Sequence, residues 1–288
     1  MTEFRPRRSA LYMPAANERA LQKAKSIAAD ALIFDLEDAV APDAKGLART
    51  NAVAAVASGE YGAKEIVIRC NGLGTPWGLD DIAAVAHCGA KGVVIPKVGS
   101  DADIAAVSAA LDKAGARADM SIWAMIETPE AIFNVRSIAA HARVSVLVMG
   151  TNDLAKELRA RQVPGRHPLL PHLATALLAT RESGKVVLDG VYNDIKNRDG
   201  FLAECLQGIE MGFDGKTLIH PDQVADANDT WAPSEAEIEH ARRTIAAFEE
   251  AIAAGKGVVQ VDGRMIENLH VDAARRVISV AQVIASMN

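Results

Sequence analysis

The sequence has few cysteines, no long apolar run and no excess of positive charge. Its three cysteines (Cys70, Cys88 and Cys205) are widely spaced and form no CxxC motif, which argues against a disulfide framework or a zinc ribbon. No apolar run approaches the roughly 20 residues of a membrane span, and the first residues lack the features of a secretory signal. With 31 Lys and Arg against 37 Asp and Glu, the net charge of −6 argues against nucleic acid as the main partner. We expect a soluble cytoplasmic protein with reduced thiols and no membrane partner.

Several short catalytic motifs are also missing. The sequence contains no HExxH zinc motif and no GxSxG nucleophile motif, and its glycines match neither GxGxxG nor the P-loop pattern. A zinc protease, a serine hydrolase of the α/β type and the common nucleotide-binding loops are therefore unsupported.

Eight short apolar runs, rich in Val, Ile and Leu, alternate with helix-length amphipathic segments. The runs are Ser9–Met13, Ala31–Leu36, Glu65–Cys70, Gly92–Pro96, Ser121–Ile126, Val144–Met149, Val186–Asp189 and Gly215–Ile219. Such runs are typical of parallel strands that are buried on both faces. Eight of them predict an α/β fold of the (β/α)₈ TIM-barrel type, which one chain of 288 residues can form. A doubly wound open sheet is the alternative, because periodicity alone does not show closure.

The last part of the chain lies outside this eightfold pattern. Ser234 and Glu237 form a capping box that opens a helix to about Ala254, and a short strand, a turn at Asp262 and a final helix follow. We therefore predict a barrel catalytic domain at 1–222. Residues 223–288 are predicted to form a C-terminal helical extension, a cap or an arm that reaches a neighbouring subunit.

Polar residues follow the ends of the predicted strands, where active sites of parallel barrels lie. These residues include Lys97, Glu127 and Asp153. Glu127 and Asp153 follow consecutive strands, so their carboxylates are expected to be neighbours and to suit Mg²⁺, which prefers a few carboxylates and several waters. The alternative is that each acid caps the helix after it.

A basic residue and an acid cluster end the third and second predicted strands. Arg69 could bind a carboxylate or a thioester oxygen and hold negative charge that develops there. Its alternative role is an ion pair with Asp35, Glu37 and Asp38, and both roles are compatible. Three acids within four residues repel one another unless cations or donors are close, which favours an active-site location.

The motifs also resemble a known family over nearly the whole chain and in order. The sequence reads IFDLEDAVAPDAK, IVIRCNG, GVVIPKV, AMIETPEAI, VMGTNDLAKEL and GFDGKTLIHPDQV. These motifs resemble the citrate lyase β-subunit-like proteins, the CoA-ester lyase branch of the HpcH/HpaI aldolase superfamily. Details such as DGVYND and VDGRMIENLH are most similar to its (3S)-malyl-CoA thioesterase group.

The resemblance implies a Mg²⁺-dependent barrel, with Mn²⁺ as a possible substitute, that forms a homotrimer or homohexamer. It implies that Glu127 and Asp153 bind the metal and that Arg69 binds the substrate, a CoA thioester. The DLED motif places Asp35, Glu37 and Asp38 where the family orders metal-bound water and the arginine. The expected reaction is hydrolysis of (3S)-malyl-CoA to malate and CoA.

Other reactions remain open alternatives. They are carbon–carbon cleavage of malyl-CoA or citramalyl-CoA to acetyl-CoA and a 2-oxoacid, a CoA-independent aldolase on pyruvate-type substrates, and a citrate lyase β-like subunit of a complex. The resemblance implies a catalytic aspartate, in a C-terminal segment of the form (I/V)DxP, that serves the adjacent subunit. Here that position is Glu267 and the proline is absent. We expect Glu267 to act as general acid or base, with a longer reach that weakens carbon–carbon chemistry. The alternative is that Glu267 performs the role of the aspartate from a slightly displaced backbone.

Remaining substrate contacts are expected at two places. Backbone amides of Gly150, Thr151 and Asn152 are candidates for the substrate carboxylate. The CoA phosphates are expected to contact basic residues near the N-terminus, namely Arg5, Arg7, Arg8 and above all Arg19.

Overall fold

The computed structural model describes residues 5–255 and 257–287. Within these residues, eight parallel strands pair in sequence order and close into a barrel, with β1 beside β8. The strands are β1 Ser9–Pro14, β2 Ala31–Asp35, β3 Glu65–Arg69, β4 Gly92–Ile95, β5 Ser121–Ile126, β6 Val144–Met149, β7 Val186–Asp189 and β8 Gly215–Leu218. The predicted (β/α)₈ barrel is confirmed, and the open-sheet alternative is wrong because β1 and β8 share a hydrogen-bonded register.

Helices connect the strands, and their ends follow local capping rules. They are α1 Glu18–Ala24, α2 Lys45–Ala57, α3 Gly78–Val85, α4 Asp101–Lys113, α5 Pro129–Ala140, α6 Thr151–Glu157, α7 Leu170–Glu182, α8 Arg198–Met211 and α9 Gln223–Trp231. The Asn17 side chain caps α1 by accepting a hydrogen bond from the Ala20 N–H, and Ser100 opens α4 with a capping box. In the described part of the chain, no helix has the length and apolarity needed to cross a bilayer.

The barrel strands are covered on both faces. Leu32, Ile33 and Phe34 are consecutive in β2, and all three are fully buried. Trp123 of β5 is also fully buried and packs in a cluster with neighbouring strands. This double burial explains why the strands appear in the sequence as continuous apolar runs and not as alternating patterns. The three cysteines are buried free thiols.

Contacts divide the described chain into two compact units. One is Arg7–Asn228, and the other holds the described residues from Asp229 onward together with Arg5 and Pro6. The division falls a few residues beyond the predicted boundary at 222, because the first part of α9 belongs with the barrel. Within that unit, Asn228 accepts a hydrogen bond from the Ser9 hydroxyl and donates one to the Ala28 carbonyl.

The second unit combines two long helices with a hairpin. Its elements are α10 Glu235–Ala253, β9 Val259–Val261, β10 Arg264–Ile266 and α11 Asn268–Met287. The predicted turn at Asp262 joins two antiparallel strands, of which only the first was expected. Asp262 and Gly263 both have positive φ (47° and 79°), the geometry of tight hairpin turns. Phe248 and Val271 pack with both strands to form a small core.

Candidate active site at the carboxyl ends of the strands

Asp35 and Arg69 form a buried bidentate ion pair at the ends of β2 and β3. The two residues are partners in the strand register. Arg69 Nε donates to Asp35 Oδ1 at 2.7 Å and Nη2 donates to Oδ2 at 2.6 Å. The same carboxylate accepts the N–H groups of Glu37 and Ala39 at 2.9 and 3.1 Å. Asp35 is therefore fixed by four donors, and it fixes the guanidinium in turn.

The rest of the acid cluster also surrounds Arg69. Its Nη1 atom lies 2.9 Å from Glu37 Oε2 and 4.0 Å from Asp38 Oδ2, and the guanidinium carbon lies 4.8 Å from the centre of the Tyr12 ring. The ion pairs expected as an alternative role for Arg69 are thus present. Burial alone lowers the pKa of Arg69, but Asp35 and the neighbouring groups outweigh it and raise the pKa. The guanidinium stays charged.

Glu127 follows β5 and is almost completely buried. Its Oε1 accepts the backbone N–H of Lys97 at 2.6 Å. Burial raises the pKa of Glu127 to about 7; the Lys97 N–H opposes this shift, and the charges of Asp153 and Glu37 add to it. The helix-capping alternative is wrong for this residue, because Thr128 caps α5 by accepting from the Ala131 N–H.

Asp153 lies in the first turn of α6, which follows β6, and β6 pairs with β5, the strand that Glu127 follows. It is half-buried and is not the N-cap residue, a position held by Gly150 without a side-chain hydrogen bond. A Cβ atom at Gly150 would collide with the Cβ and Oε2 of Glu127. The Glu127 side chain therefore lies directly against the start of α6, and Asp153 is close enough to raise its pKa.

Carboxylates outnumber cations at this end of the barrel. Around Arg69 and Glu127 the acids are Asp35, Glu37, Asp38, Glu127 and Asp153, and the cations are Arg69, Lys97 and Lys45, whose ammonium donates to the Leu36 and Glu37 carbonyls. In the described residues, no group of three or more His, Cys, Asp or Glu is arranged to hold a metal ion. The assignment of Glu127 and Asp153 as metal ligands stays a prediction. Hard oxygen ligands in a site with excess negative charge fit a divalent cation that completes its shell with water and ligand oxygens.

Lys97 takes part in this site, although sequence reasoning gave it no role. It follows β4, and its φ of 52° is in the left-handed region that non-glycine residues rarely adopt. Its ammonium lies 3.7 Å from Glu37 Oε1, on a side chain that is 58% exposed. Partial burial lowers the pKa of Lys97, but Glu37 and the other acids outweigh it and raise the pKa. Nothing in the sequence signals the left-handed backbone.

The residues expected to bind a substrate carboxylate differ in what they offer. The Gly150 N–H already donates to the Ile126 carbonyl at 3.1 Å. The expected role of Gly150 in binding substrate stays a prediction. Thr151 and Asn152 begin α6, where N–H groups have no acceptor within the helix. The Asn152 side chain exchanges two hydrogen bonds with Asn193, at 3.1 and 2.6 Å.

The basic residues expected near CoA phosphates lie at opposite ends of the barrel. Arg7 pairs with Glu65 at 2.6 and 2.9 Å, and Arg8 pairs with Asp30 at 2.8 Å, all at the amino ends of the strands. The expected phosphate-binding role is wrong for both, because their guanidiniums are engaged at the other end. Arg19 is exposed on α1, directly after the carboxyl end of β1, and its role stays a prediction.

Glu267 and Arg5 belong to the other compact unit. Glu267 is exposed at the start of α11, and its N–H donates to His270 Nδ1 at 3.0 Å. Its expected role as general acid or base stays a prediction.

A cavity of about 430 Å³ opens beside the first turn of α6. Residues of its wall include Thr151, Asn152, Arg166, Tyr192, Asn193 and Glu204. A buried ion network adjoins it: Asp189 accepts from Arg166 Nη1 at 2.7 Å and from Lys216 Nζ at 2.8 Å, and Lys216 also contacts Glu204 at 2.7 Å. This network connects Asp189, the last residue of β7, to Lys216, its register partner near the start of β8.

Comparison with known proteins finds a matching family profile and similar sequences and structures. The profile described as HpcH/HpaI aldolase/citrate lyase matches residues 8–221. The chain is 50% identical over 281 residues to a (3S)-malyl-CoA thioesterase of Cereibacter sphaeroides strain ATCC 17025, covering 98% of this chain and 96% of that protein. It is 36% identical over 285 residues to citrate lyase subunit beta of Escherichia coli K12, covering 97% and 94%. A crystal structure of CitE from Mycobacterium tuberculosis with magnesium, acetoacetate and coenzyme A superposes with a TM-score of 0.79 at 28% identity, covering 96% and 98%.

Proposed function

The chain belongs to the HpcH/HpaI aldolase/citrate lyase family, and from this premise we propose that it hydrolyses (3S)-malyl-CoA to malate and CoA with the help of Mg²⁺. The observation that carries the proposal is the fixed guanidinium of Arg69 at the same barrel end as the carboxylates of Glu127 and Asp153. The similarity to the Cereibacter thioesterase supports the choice of substrate.

Glu127 and Asp153 would hold the metal, and Mn²⁺ would suit the same oxygen donors. When bound, the divalent cation supplies Lewis-acid stabilisation of negative charge on the substrate oxygens. The magnesium and coenzyme A in the CitE crystal structure support this assignment. The excess of carboxylates over cations supports it independently.

Arg69 stabilises negative charge on the thioester oxygen. Its orientation is set by two hydrogen bonds to Asp35, so little reorganisation is needed when that charge develops. Thr151 and Asn152 present the first N–H groups of α6 to the substrate carboxylate. Arg19 contacts the CoA phosphates from the exposed face of α1.

Hydrolysis forms a bond from a water oxygen to the thioester carbon and breaks the carbon–sulfur bond. Glu267 of a second copy of the chain accepts the water proton and returns a proton to the leaving sulfur. The two copies belong to a homotrimer or homohexamer in the cytoplasm. Glu37 and Asp38 help Asp35 to orient Arg69 and water. The longer side chain of Glu267 disfavours carbon–carbon cleavage.

Product analysis of the purified protein tests the proposal. With (3S)-malyl-CoA and Mg²⁺, we expect free CoA and malate, and no acetyl-CoA or glyoxylate. Acetyl-CoA and glyoxylate as the main products would contradict hydrolysis and indicate a lyase, and turnover only with an acyl-carrier-protein partner would indicate a complex subunit.

Substitution of the two proposed metal ligands tests the site. Glu127→Gln and Asp153→Asn are each expected to lower kcat/KM by at least about a hundredfold, because each removes one carboxylate ligand. Glu157→Gln, on the exposed end of α6, is the matched control and should retain full activity. Metal-dependent turnover by folded Glu127→Gln at the wild-type rate would refute the assignment.

A further inference from the structure

Lys97 interacts with the acids of the candidate site both through its backbone and through its side chain. Its backbone N–H holds Glu127 Oε1 at 2.6 Å, and that contact needs no side chain. Its side chain places a positive charge among four acids, with Glu37 Oε1 the nearest at 3.7 Å. The left-handed φ of 52° is a conformation in which glycine is favoured, so the lysine side chain is kept there at a conformational cost.

The Lys97 ammonium is available to a ligand. Its nearest acid is Glu37, and the distance of 3.7 Å between the two is longer than a hydrogen bond. Glu37 is itself engaged by Arg69 through its other oxygen at 2.9 Å. The ammonium is thus an exposed cation beside a site whose other groups are mostly negative.

We propose that Lys97 is a specificity-determining residue that lowers the negative charge of the site, so that a substrate with an anionic acyl group binds beside the carboxylates. The inference rests on the proposed function, because the anion concerned is the carboxylate of that acyl group. The same positive charge opposes the binding of a divalent cation. Lys97 therefore favours the anionic ligand and disfavours the metal, and its removal changes the two affinities in opposite directions.

Two substitutions separate the charge from the backbone. Lys97→Met removes the charge and keeps the left-handed strain, whereas Lys97→Gly removes the charge and suits the backbone. Both retain the N–H that holds Glu127. The matched control is Lys91→Met, which removes an exposed lysine directly before the amino end of β4, away from the candidate site.

The test is calorimetric titration with Mg²⁺ alone and then with L-malate at saturating Mg²⁺, which needs no turnover. For Lys97→Met and Lys97→Gly, we expect Mg²⁺ to bind about three- to tenfold more tightly and malate about three- to tenfold more weakly at low salt. Both effects should shrink at high ionic strength. Lys97→Gly should have a melting temperature at least as high as that of the wild type.

A purely structural role predicts a different pattern. Weaker binding of both Mg²⁺ and malate, or no change in either, would overturn the proposal, as would wild-type protein that does not bind malate. Lys97→Arg keeps the positive charge and should bind Mg²⁺ and malate with wild-type affinities. If the affinities shift as expected but (3S)-malyl-CoA is not hydrolysed, the proposed reaction fails while the role of Lys97 stands.

Discussion

Gly150→Ala is expected to disable the site by steric contact alone. The φ of Gly150 is −90°, so alanine meets no left-handed strain there. The new Cβ would lie 3.1 Å from Glu127 Cδ and still closer to its Cβ and Oε2, whereas relaxed carbon atoms stay about 3.5–4.0 Å apart. Because one of the blocking atoms is the Cβ of Glu127, rotation of the carboxylate does not remove the overlap. The start of α6 and the end of β5 must move apart.

The size of that movement sets the expected effects. Displacement of a catalytic group by about 1 Å lowers the rate by about a hundredfold, and we expect this loss in kcat/KM with (3S)-malyl-CoA. Overpacking of this kind destabilises a fold by about 1–3 kcal/mol. For a chain of this size, each kcal/mol lowers the melting temperature by about 2–4 °C. The variant should therefore remain folded at 25 °C while its Mg²⁺ affinity falls.

Kinetics, calorimetric Mg²⁺ titration and thermal melting on one preparation measure all three effects. Gly74→Ala is the control, because a Cβ there would meet no atom within 4 Å. Gly150→Ala with wild-type Mg²⁺ affinity and activity would show that Glu127 does not depend on its contact with α6, and the geometric reasoning would be refuted.

Two further substitutions test the ion pairs that shape the barrel end. Lys216→Met is expected to destabilise the fold by about 3–5 kcal/mol in urea unfolding, because the buried Asp189 loses one of its cations. The control is Lys156→Met on the exposed face of α6, which should change the free energy of unfolding by less than about 0.5 kcal/mol. Burial raises the pKa of Asp189, but Lys216 and the neighbouring arginine outweigh it and lower the pKa below its usual value. Because the folded pKa of Asp189 lies below the unfolded pKa near 4, its ion pairs stabilise the fold above that unfolded pKa, and this stabilisation is lost as the pH falls through the folded pKa. Lys216→Met should therefore unfold at a higher pH during acid titration, and an unchanged acid midpoint would contradict this. Asp35→Asn is expected to lower kcat/KM by about a hundredfold and also to lower the melting temperature, because the buried Arg69 loses its charge partner and one of the two oxygens that fix it; full activity would show that the pairing is not needed.

The barrel was predictable from the sequence because its strands are buried on both faces. Burial produces short apolar runs whose ends are visible, and those ends placed Arg69, Glu127 and Asp153 on one side of the fold. The helices were harder to delimit. Helix α1, for example, ends at Ala24, because the N–H groups of the next three residues bond to carbonyls three residues back and not four.

Features that depend on neighbouring chain segments were not predictable. Lys97 combines a left-handed backbone with a hydrogen bond from its N–H to Glu127, which is distant in sequence. The engagement of Arg7 and Arg8 at the amino ends of the strands depends on which acids the closed barrel brings beside them. Local patterns contain no information on either.

The strand register explains why this site can be compact although its residues are far apart in sequence. Asp35 and Arg69 are register partners, so their side chains meet without any special loop. The last residues of β5 and β6 are also partners, so the residues that follow them, Glu127 and Gly150, lie side by side. That proximity requires glycine at the second position, and it brings the first turn of α6, with Asp153, next to a buried carboxylate. The closed barrel therefore concentrates acids that would repel one another in isolation. The fixed guanidinium of Arg69 offsets part of that repulsion, and the proposed metal would offset more of it.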